Sequence, residues 1–314
     1  MRTLLVANSG GHLRQLLELV PRLGLHGSRL WVTNDSEQSR MLLAEEQVLW
    51  LRHPEARSVR DAYRNAVLAR RALASVSVDV AVSTGASLAV SVLPVAARKG
   101  AQVHYIESAT RIDGPSMSGK LVRWIPGVHL YSQSRTWADG RWQYRGAVFD
   151  GFEVQLGPPR DLRKAVVTVG TSSFSAYRRL IERLVALLPA SCDVLWQTGA
   201  TDVSGLGIDA RPSLSAAELE EAIREADVVV AHAGTGSALT ALAMGRLPVL
   251  VPRDPLHREH VDGHQFETAR RLGTAGLALT APVEELQLDM LRRAAGASVR
   301  RRGAAAPFTL DSRQ

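Results

Sequence analysis

A buried-strand pattern that runs into a glycine turn constrains the fold of this chain more than any other feature. Residues 228–232 read Val-Val-Val-Ala-His and continue into Ala233-Gly234-Thr235-Gly236-Ser237. An alanine-rich helical stretch follows, and residues 247–252 form a second apolar run. Glycines where a helix begins leave backbone N–H groups open to an anion such as phosphate. The stretch therefore predicts a strand, turn, helix and strand, with nucleotide binding at the turn.

The same alternation extends over the whole chain. In the first half, strand-like runs near 3–8, 29–33, 47–51, 78–83, 101–106 and 127–132 alternate with helical stretches near 12–23, 36–45, 58–75 and 86–98. In the second half, strands are predicted near 165–169, 192–197, 227–231, 247–251 and 275–279, with helices near 175–188, 215–225, 236–244, 262–272 and 282–297. Such alternation predicts an α/β protein with parallel sheets and helices on both faces.

An interruption near residue 157 divides the chain into two predicted domains. Gly157-Pro158-Pro159 lies in a polar stretch, and we predict a linker over about 151–163. An N-terminal domain is expected over 1–156 and a C-terminal domain over 164–314, each doubly wound, facing each other across a cleft. The tail from residue 300 is expected to be frayed. Ligands of such sheets bind beyond the carboxyl ends of the strands, so the loops after strands are the candidate sites.

Composition limits the classes of protein that fit. The net charge is +7, carried almost entirely by arginine, which suits anionic partners such as nucleotide-sugars or an acidic membrane face. Charge is the sole argument for nucleic-acid binding, so no nucleic-acid partner is expected. The single cysteine excludes an intramolecular disulfide, and no apolar run approaches the roughly 20 residues of a spanning helix. We expect a cytoplasmic protein, peripheral at most on the inner face of the membrane.

Two loops of the first domain carry candidate groups. Gly10 and Gly11 remove side chains where a helix begins, and His12 follows them as a candidate general base. A loop or helix-capping histidine is the alternative. After a later strand, Glu107 is a second candidate base or hydroxyl anchor, and Arg111 is a candidate anion contact. A structural ion pair between Glu107 and Arg111 is the alternative for both.

Two loops of the second domain complete the candidate set. Gly170 and Thr171 open a loop of small and hydroxyl residues, which offers hydrogen-bond donors to a ligand. After residue 252 come three histidines at spacings of three and four residues: His257, His260 and His264. Pro255 and Gly263 interrupt any continuous helix there, so we expect no metal site and no cofactor. Polar groups in this loop are expected to contact sugar hydroxyls.

Aromatic and basic residues interleave between 123 and 145. The set comprises Trp124, Tyr131, Trp137, Trp142 and Tyr144 together with Arg123, Arg135, Arg141 and Arg145. Amphipathic rings beside cations suit a membrane interface or a lipid-diphosphate acceptor. A packed domain edge is the alternative.

Taken together, these loops resemble a known family of glycosyltransferases. Residues 4–20 and 82–120 are similar to PssD-like acceptor-side proteins, including the membrane-anchoring subunit of the eukaryotic transferase that adds GlcNAc to a dolichol-linked sugar. Residues 166–174 and 231–272 are similar to PssE-like proteins, to that enzyme's catalytic subunit, and to the second domain of MurG and other family 28 transferases. The resemblance implies a GT-B fold in which both halves are fused in one chain.

Roles follow from the resemblance only where residues match. The resemblance implies that Gly234, Gly236 and Ser237 hold the donor diphosphate and that His264 and Gln265 face the donor sugar. It also matches Gly10, Gly11 and His12 to the acceptor-side glycine loop, with His12 as base. Residue type and position add Gly170, Thr171, His232 and Thr235 to the predicted donor site and Arg111 to the acceptor side. Two positions depart from the family pattern. Thr240 stands where a ribose-binding Glu is common, and Thr268 stands where an Asn is expected after the His-Gln pair.

The expected reaction is inverting transfer of a hexose from a UDP-sugar, with GlcNAc, glucuronic acid, glucose and galactose all compatible, to a lipid-linked or polysaccharide-precursor acceptor. No metal is required, because a helix N-terminus can stabilise the departing diphosphate. Two rival functions stay open. One is a UDP-sugar 2-epimerase of the same fold, which needs no acceptor. The other is a noncatalytic subunit that recruits a transferase to the membrane.

Overall fold

The chain forms two compact α/β units in a computed structural model that describes residues 1–52, 58–170, 176–260, 263–303 and 307–311. The first unit comprises Met1–Asp150 and Ala305–Gln314, and the second comprises Gly151–Ala304. Compared with the expected domain bounds, residues 151–156 group with the second unit and the last ten residues of the chain group with the first. Part of the expected linker is a strand in the second unit, β8 (Phe152–Gln155).

A seven-stranded parallel sheet in the order β3-β2-β1-β4-β5-β6-β7 forms the centre of the first unit. Its strands are β1 (Arg2–Val6), β2 (Ser28–Asn34), β3 (Val48–Leu51), β4 (Val80–Ser83), β5 (Gln102–Ile106), β6 (His129–Ser132) and β7 (Trp142–Tyr144). Its helices are α1 (Gly11–Leu19), α2 (Glu37–Leu42), α3 (Val59–Ala72), α4 (Ser87–Arg98) and α5 (Met117–Val122). Short 3-10 turns cover Val20–Arg22 and Val148–Gly151.

Local sequence explains where several of these helices begin. Ser36, Ser58 and Ser116 each cap a helix by accepting a hydrogen bond from the backbone N–H three residues later. The core lies between the sheet and α3, α4 and α5, and its members are aliphatic apart from a few aromatic rings such as Tyr105 and Trp142. A sheet buried in this way explains the continuous apolar runs in the sequence.

A six-stranded parallel sheet in the order β11-β10-β9-β12-β13-β14 forms the second unit. Its strands are β9 (Lys164–Thr168), β10 (Asp193–Gln197), β11 (Ala210–Arg211), β12 (Val228–His232), β13 (Pro248–Val251) and β14 (Leu279–Thr280). Its helices are α6 (Arg178–Leu187), α7 (Ala216–Glu225), α8 (Thr235–Ala243), α9 (His264–Thr274) and α10 (Leu288–Gly296), with 3-10 turns at Pro255–His257 and Val283–Glu285. Two apolar clusters cover this sheet.

In the described part of the tail, the structure differs from the expectation of frayed residues. β15 (Ser298–Arg301) pairs antiparallel with β8 in the second unit. The Arg301 guanidinium lies 5.4 Å from the ring centre of Phe152. In the first unit, Phe308 is fully buried and its backbone N–H donates to the Arg22 carbonyl at 2.9 Å. Strand pairing and one buried aromatic ring therefore order residues that their arginine-rich sequence suggested were solvated.

Candidate functional site

The glycine loop after β1 is joined to the loop after β4, because the carboxyl ends of parallel strands meet at one edge of a sheet. Asn8 Oδ1 accepts a hydrogen bond from the Leu88 N–H at 3.0 Å, and its amide donates to Ser87 Oγ at 3.1 Å. Asn8 therefore caps α4, whose own N-cap residue makes no side-chain bond. Gly10 has a φ of +81°, so the turn into α1 requires glycine there.

His12 lies between these two loops in the first turn of α1. Its Nδ1 lies 2.8 Å from the Thr84 carbonyl oxygen, and Thr84 Oγ1 donates back to the His12 carbonyl at 2.7 Å. A carbonyl can only accept, so Nδ1 carries the proton in the neutral ring and Nε2 carries the lone pair. Burial lowers the pKa of His12 below 6.5, although the Thr84 bond and the Glu107 charge oppose that shift. The ring is thus a neutral base at neutral pH.

Gly85 brings Tyr105 close to the His12 ring. A Cβ atom at Gly85 would lie 3.1 Å from the Tyr105 hydroxyl and 3.2 Å from His12 Cε1, and the φ of +114° also requires glycine. Ala86 next to it has a φ of 63°, which is rare for a residue with a side chain. Burial and the Glu107 charge raise the pKa of Tyr105 well above 10, so its hydroxyl stays protonated.

Glu107 is buried, with 1% of its surface exposed, and both of its carboxylate oxygens accept hydrogen bonds from the protein. Oε1 accepts from the Ser108 N–H at 3.0 Å and the Tyr105 hydroxyl at 3.3 Å. Oε2 accepts from the N–H and hydroxyl of Ser116 at 2.9 and 3.0 Å. This geometry suits a carboxylate that holds the loop between β5 and α5. The donors to Glu107 are thus Tyr105, Ser108 and Ser116. They do not include Arg111, so the ion pair that was the alternative interpretation is not found.

The other acceptor-side candidates lie in the same unit. Gly11 begins α1, directly before His12. Arg111 is partly buried, its Nε donates to the Gly114 carbonyl at 3.2 Å, and its own carbonyl accepts from Trp137 Nε1 at 3.1 Å. Arg111 therefore shapes the turn between β5 and α5.

The glycine turn in the second unit joins β12 to α8, as the sequence predicted. Gly234 is the N-cap of α8 and has no side chain, so the first amides of the helix receive no cap from the N-cap residue. Thr235 is 6% exposed, and its Oγ1 is buried with no hydrogen-bond partner among the described residues. Gly236 and Ser237 complete the first turn. A buried hydroxyl without a described partner, next to uncapped helix amides, is typical of a turn that binds an anion.

His232 is enclosed by two glycines. A Cβ atom at Gly234 would lie 2.3 Å from His232 Nε2, and one at Gly170 would lie 2.8 Å from His232 Cε1. Burial and the nearby Arg253 charge lower the pKa of His232 to about 3, so the ring is neutral. Its Nδ1 is buried with no partner within the described residues. A side chain at Gly170 or at Gly234 would therefore clash with the His232 ring. Gly170 also has a φ of +78°, which favours glycine.

Beyond β13, the His-Gln pair begins α9. Gln265 is 3% exposed, and its Oε1 accepts from the Arg253 N–H at 3.1 Å, so it holds the loop after β13. Arg253 is buried, donates to the Val169 carbonyl at 2.7 Å and lies over the Tyr177 ring. His264 is partly exposed and its ring packs edge-on against His260, with 4.5 Å between the ring centres. Thr268 donates to the His264 carbonyl within its own helix.

Most candidates thus fall into one group in each unit. The first unit groups Gly10, Gly11, His12, Glu107 and Arg111, and the second groups Gly170, His232, Gly234, Thr235, Gly236 and Ser237, with His264 and Gln265 at the next loop. Thr171 lies outside the described residues. Sequence reasoning missed the roles of Asn8, Thr84 and Ser116. Asn8 and Ser116 are residue types that often cap helices, so a capping role could have been considered for both. Asn8 and Thr84, however, bond residues more than 70 positions away in the sequence, and the sequence alone does not show those partners.

Neither a metal centre nor a membrane-spanning helix is found in the described part of the chain. Over those residues, no group of three or more histidine, cysteine, aspartate or glutamate side chains is arranged to hold a metal ion. No helix among them combines the length and apolar character that crossing a bilayer demands.

One family model is similar to the second unit. Residues 165–302 match the glycosyltransferase family 28 C-terminal domain, and this range runs from the second residue of β9 through β15. No curated protein sequence matches the chain. The match covers the β12 to α8 turn and the loop after β13.

Solved structures share the architecture of the chain at low sequence identity. MurG from Acinetobacter baumannii aligns with a TM-score of 0.57 and 17% identity over 93% of this chain and 89% of that one. The glycosyltransferase VinC in complex with DTDP aligns at 0.54 and 14% over 93% and 89%. UDP-GlcNAc 2-epimerase from Methanocaldococcus jannaschii aligns at 0.58 and 8% over 98% and 97%. Identities this low show the fold alone.

The predicted fold class, GT-B with two Rossmann-like domains, is confirmed. The predicted enzyme class, a glycosyltransferase, is confirmed by the family 28 domain match together with the transferase neighbours. The similarity to MurG and the family 28 domain is confirmed as well, whereas the narrower PssD/PssE-like assignment stays a prediction.

Proposed function

We propose that the chain is an inverting hexosyltransferase that moves a sugar from a UDP-sugar to a lipid-linked or polysaccharide-precursor acceptor at the inner face of the cell membrane. The observation that carries this proposal is the β12 to α8 turn, where uncapped helix amides adjoin the buried, unpartnered Oγ1 of Thr235. Such a turn suits the diphosphate of a nucleotide-sugar. The family 28 match over the same residues supports this use of the turn.

The acceptor-side chemistry falls to His12 in this proposal. Its Nδ1 proton is held by the Thr84 carbonyl, so Nε2 can take the proton of an acceptor hydroxyl. The hydroxyl oxygen then bonds to the anomeric carbon as the bond from that carbon to the diphosphate oxygen breaks. UDP leaves with the electron pair. A positioned base of this kind accelerates a reaction by about 10²–10⁴-fold.

Glu107 is the weaker candidate for the base. Its two oxygens already accept four hydrogen bonds, and it is nearly fully buried. We assign it a positioning role: it holds Ser116 and adds negative charge near His12, which raises the pKa of that ring.

The donor side is assigned to the second unit. The α8 amides and the Thr235 hydroxyl would stabilise the negative charge that develops on the diphosphate as it departs. No metal ion takes part in the proposed mechanism. Gly170 and Gly234 fix His232 beside this turn. Gln265 contributes by holding the loop that carries Arg253, and His264 remains the candidate contact to the donor sugar.

A panel of nucleotide-sugars tests the donor assignment without knowledge of the acceptor. A ligand that binds only the folded protein raises its melting temperature, and the rise grows with the logarithm of the ratio of ligand concentration to Kd. We expect UDP-sugars to raise the melting temperature more than GDP- or dTDP-sugars at equal concentration. A preference for GDP- or dTDP-sugars would contradict the uridine assignment.

The epimerase is retained as the second candidate, because a UDP-GlcNAc 2-epimerase shares the fold over nearly the whole chain. Product analysis separates the two functions. Incubation of the purified protein with UDP-GlcNAc alone should leave the sugar configuration unchanged, whereas conversion to the 2-epimer without an acceptor would favour the rival. Turnover by the purified chain alone would exclude the noncatalytic subunit.

A further inference from the structure

The loop after β13 is held at both of its ends by the start of α6. At one end, the Tyr177 hydroxyl donates to the Pro252 carbonyl at 2.8 Å. At the other end, the Arg179 guanidinium donates to both carboxylate oxygens of Glu259, from Nε to Oε1 and from Nη2 to Oε2, each at 3.1 Å. A two-bond contact of this kind fixes the orientation of both side chains. The shape of the loop over 252–259 therefore depends on a helix that is distant in sequence.

Glu259 carries the contact with α6 into the loop. Its Oε2 also accepts from the Asp254 N–H at 2.9 Å, which closes the loop on itself. The Glu259 side chain is only 7% exposed, and a buried carboxylate that loses its cation is strongly destabilised. Arg179 also contacts Glu284, but that side chain is 63% exposed and water can solvate it without the arginine. The pair of Arg179 with Glu259 is thus the contact that determines the shape of the loop.

His260 connects this pair to the candidate contact for the donor sugar. It follows Glu259 directly in the chain, and its ring packs edge-on against the His264 ring, with 4.5 Å between the ring centres. His264 begins α9 and is partly exposed. A shift of Glu259 would therefore move His260 and change the support of the His264 ring. A continuous path runs from Arg179 through Glu259 and His260 to His264.

We propose that Arg179 is a positioning residue for the donor sugar, because it fixes Glu259 and thereby the His260 ring that supports His264. This inference rests on the proposed function, which assigns the donor sugar to His264 and the donor diphosphate to the α8 turn. Arg179 itself is engaged by two carboxylates, so it acts through the loop and does not touch the donor. The path from Arg179 leads to His264 and not to the α8 turn. Arg179 therefore governs affinity for the sugar and leaves affinity for UDP alone nearly unchanged.

Titration of the full chain with UDP and with UDP-sugars tests this division. Arg179→Gln removes the charge and the two-bond contact with Glu259. Because the sugar contact is then misplaced, affinity for the UDP-sugar should fall roughly tenfold, whereas affinity for UDP should stay within about twofold. The probes are UDP, UDP-GlcNAc, UDP-glucuronic acid, UDP-glucose and UDP-galactose, each titrated by calorimetry. A variant that only lost stability would not weaken the sugar-bearing ligands selectively.

Arg178→Gln is the matched control, because it makes the same change at the neighbouring position of the same helix. Arg178 forms an exposed ion pair with Glu182 at 2.7 Å, four residues along the helix. Exposed pairs of this kind contribute little, so both affinities should stay within about twofold of those of the unmodified chain. Melting temperatures show whether each variant is folded.

A double variant tests whether Arg179 acts through Glu259. Glu259→Gln removes the same contact from the other side, so its effect on UDP-sugar affinity should not multiply with that of Arg179→Gln. The double variant Arg179→Gln/Glu259→Gln should lose about as much UDP-sugar affinity as either single variant. It also leaves no buried carboxylate without its cation, so it keeps the test valid where Arg179→Gln alone fails to fold.

Three results would overturn the inference while the proposed function stands. They are an equal loss of UDP and UDP-sugar affinity in Arg179→Gln, unchanged UDP-sugar affinity in the double variant, and multiplication of the two single effects. Failure of the unmodified chain to bind UDP or any of the UDP-sugars is a different result. It would overturn the proposed function, and this inference with it.

Discussion

Two histidines at the carboxyl ends of buried strands, His12 after β1 in the first unit and His232 as the last residue of β12 in the second, differ in the hydrogen bonding of their ring nitrogens. Burial lowers the pKa of both, so both rings are neutral. His12 has its Nδ1 satisfied by a carbonyl, and no described residue hydrogen-bonds its Nε2. His232 is confined between two glycines, and no described residue hydrogen-bonds its buried Nδ1. A lowered pKa alone therefore does not identify a base, and the hydrogen bond on the other nitrogen decides the role.

The largest effect is expected when His12 is removed. His12→Ala should lower kcat by about 10²–10⁴-fold, because the acceptor hydroxyl loses its base. The donor-induced rise in melting temperature should persist, since the donor groups lie in the second unit. The comparison variant is Glu107→Gln, which should lower turnover less. If the two variants exchanged these effects, Glu107 would be the base and His12 the supporting residue.

Filling the space beside His232 should affect the second unit strongly. Gly234→Ala places a Cβ atom 2.3 Å from His232 Nε2, so the ring or the turn must move. We expect a loss of about 1–3 kcal/mol in the free energy of unfolding and a weaker donor-induced shift in melting temperature. Gly263→Ala is the control, because its φ is −89° and a Cβ atom there meets nothing within 4 Å. Equal effects of the two variants would show that His232 is not confined as described.

A conservative change at Thr235 separates ligand binding from stability. Thr235→Val keeps the shape of the side chain and removes a hydroxyl that has no described protein partner. The free energy of unfolding should change little or rise, whereas donor affinity should fall by about 10- to 100-fold through loss of a hydrogen bond to a charged group. Calorimetric unfolding and donor titration measure the two quantities. Lower stability with unchanged donor affinity would mean that the hydroxyl serves the fold.

The smallest effect is on the pH dependence of turnover. Protonation of His12 removes the base, so kcat should fall as the pH falls through the pKa of that ring. Because burial lowers this pKa from 6.5, more than half of the plateau rate should remain at pH 6.5. A kcat profile across the acid range provides the measurement. A rate at pH 6.5 well below half of the plateau would show that the ring titrates at or above its usual range.

The sequence was sufficient for the central strands and for the glycine turns, because buried parallel strands are continuous apolar runs and glycines mark where helices begin. It failed where short elements depend on distant partners. β8 and β15 pair with each other across more than half of the second unit's length. A strand predicted near 275–279 is found only at Leu279–Thr280, because Ala275 and Gly276 close α9.

Site prediction had the same limit. Gly10, His12 and the β12 to α8 turn could be selected from residue type and order, since both loops follow apolar strands. The partner of each polar group could not, because Thr84 meets His12 from 72 residues away and Ser116 meets Glu107 through a loop. Helix α5 was also missed, because its outer side is apolar and so gives no amphipathic period.

The central claim assigns the base to the first unit and the donor diphosphate to the α8 turn of the second. Steady-state kinetics of His12→Ala and Thr235→Val, measured side by side with a UDP-sugar and its acceptor, test it most directly. His12→Ala should lower kcat and leave the KM for the donor nearly unchanged. Thr235→Val should raise the KM for the donor and lower kcat far less. The opposite division, or the same change in both variants, would contradict the assignment.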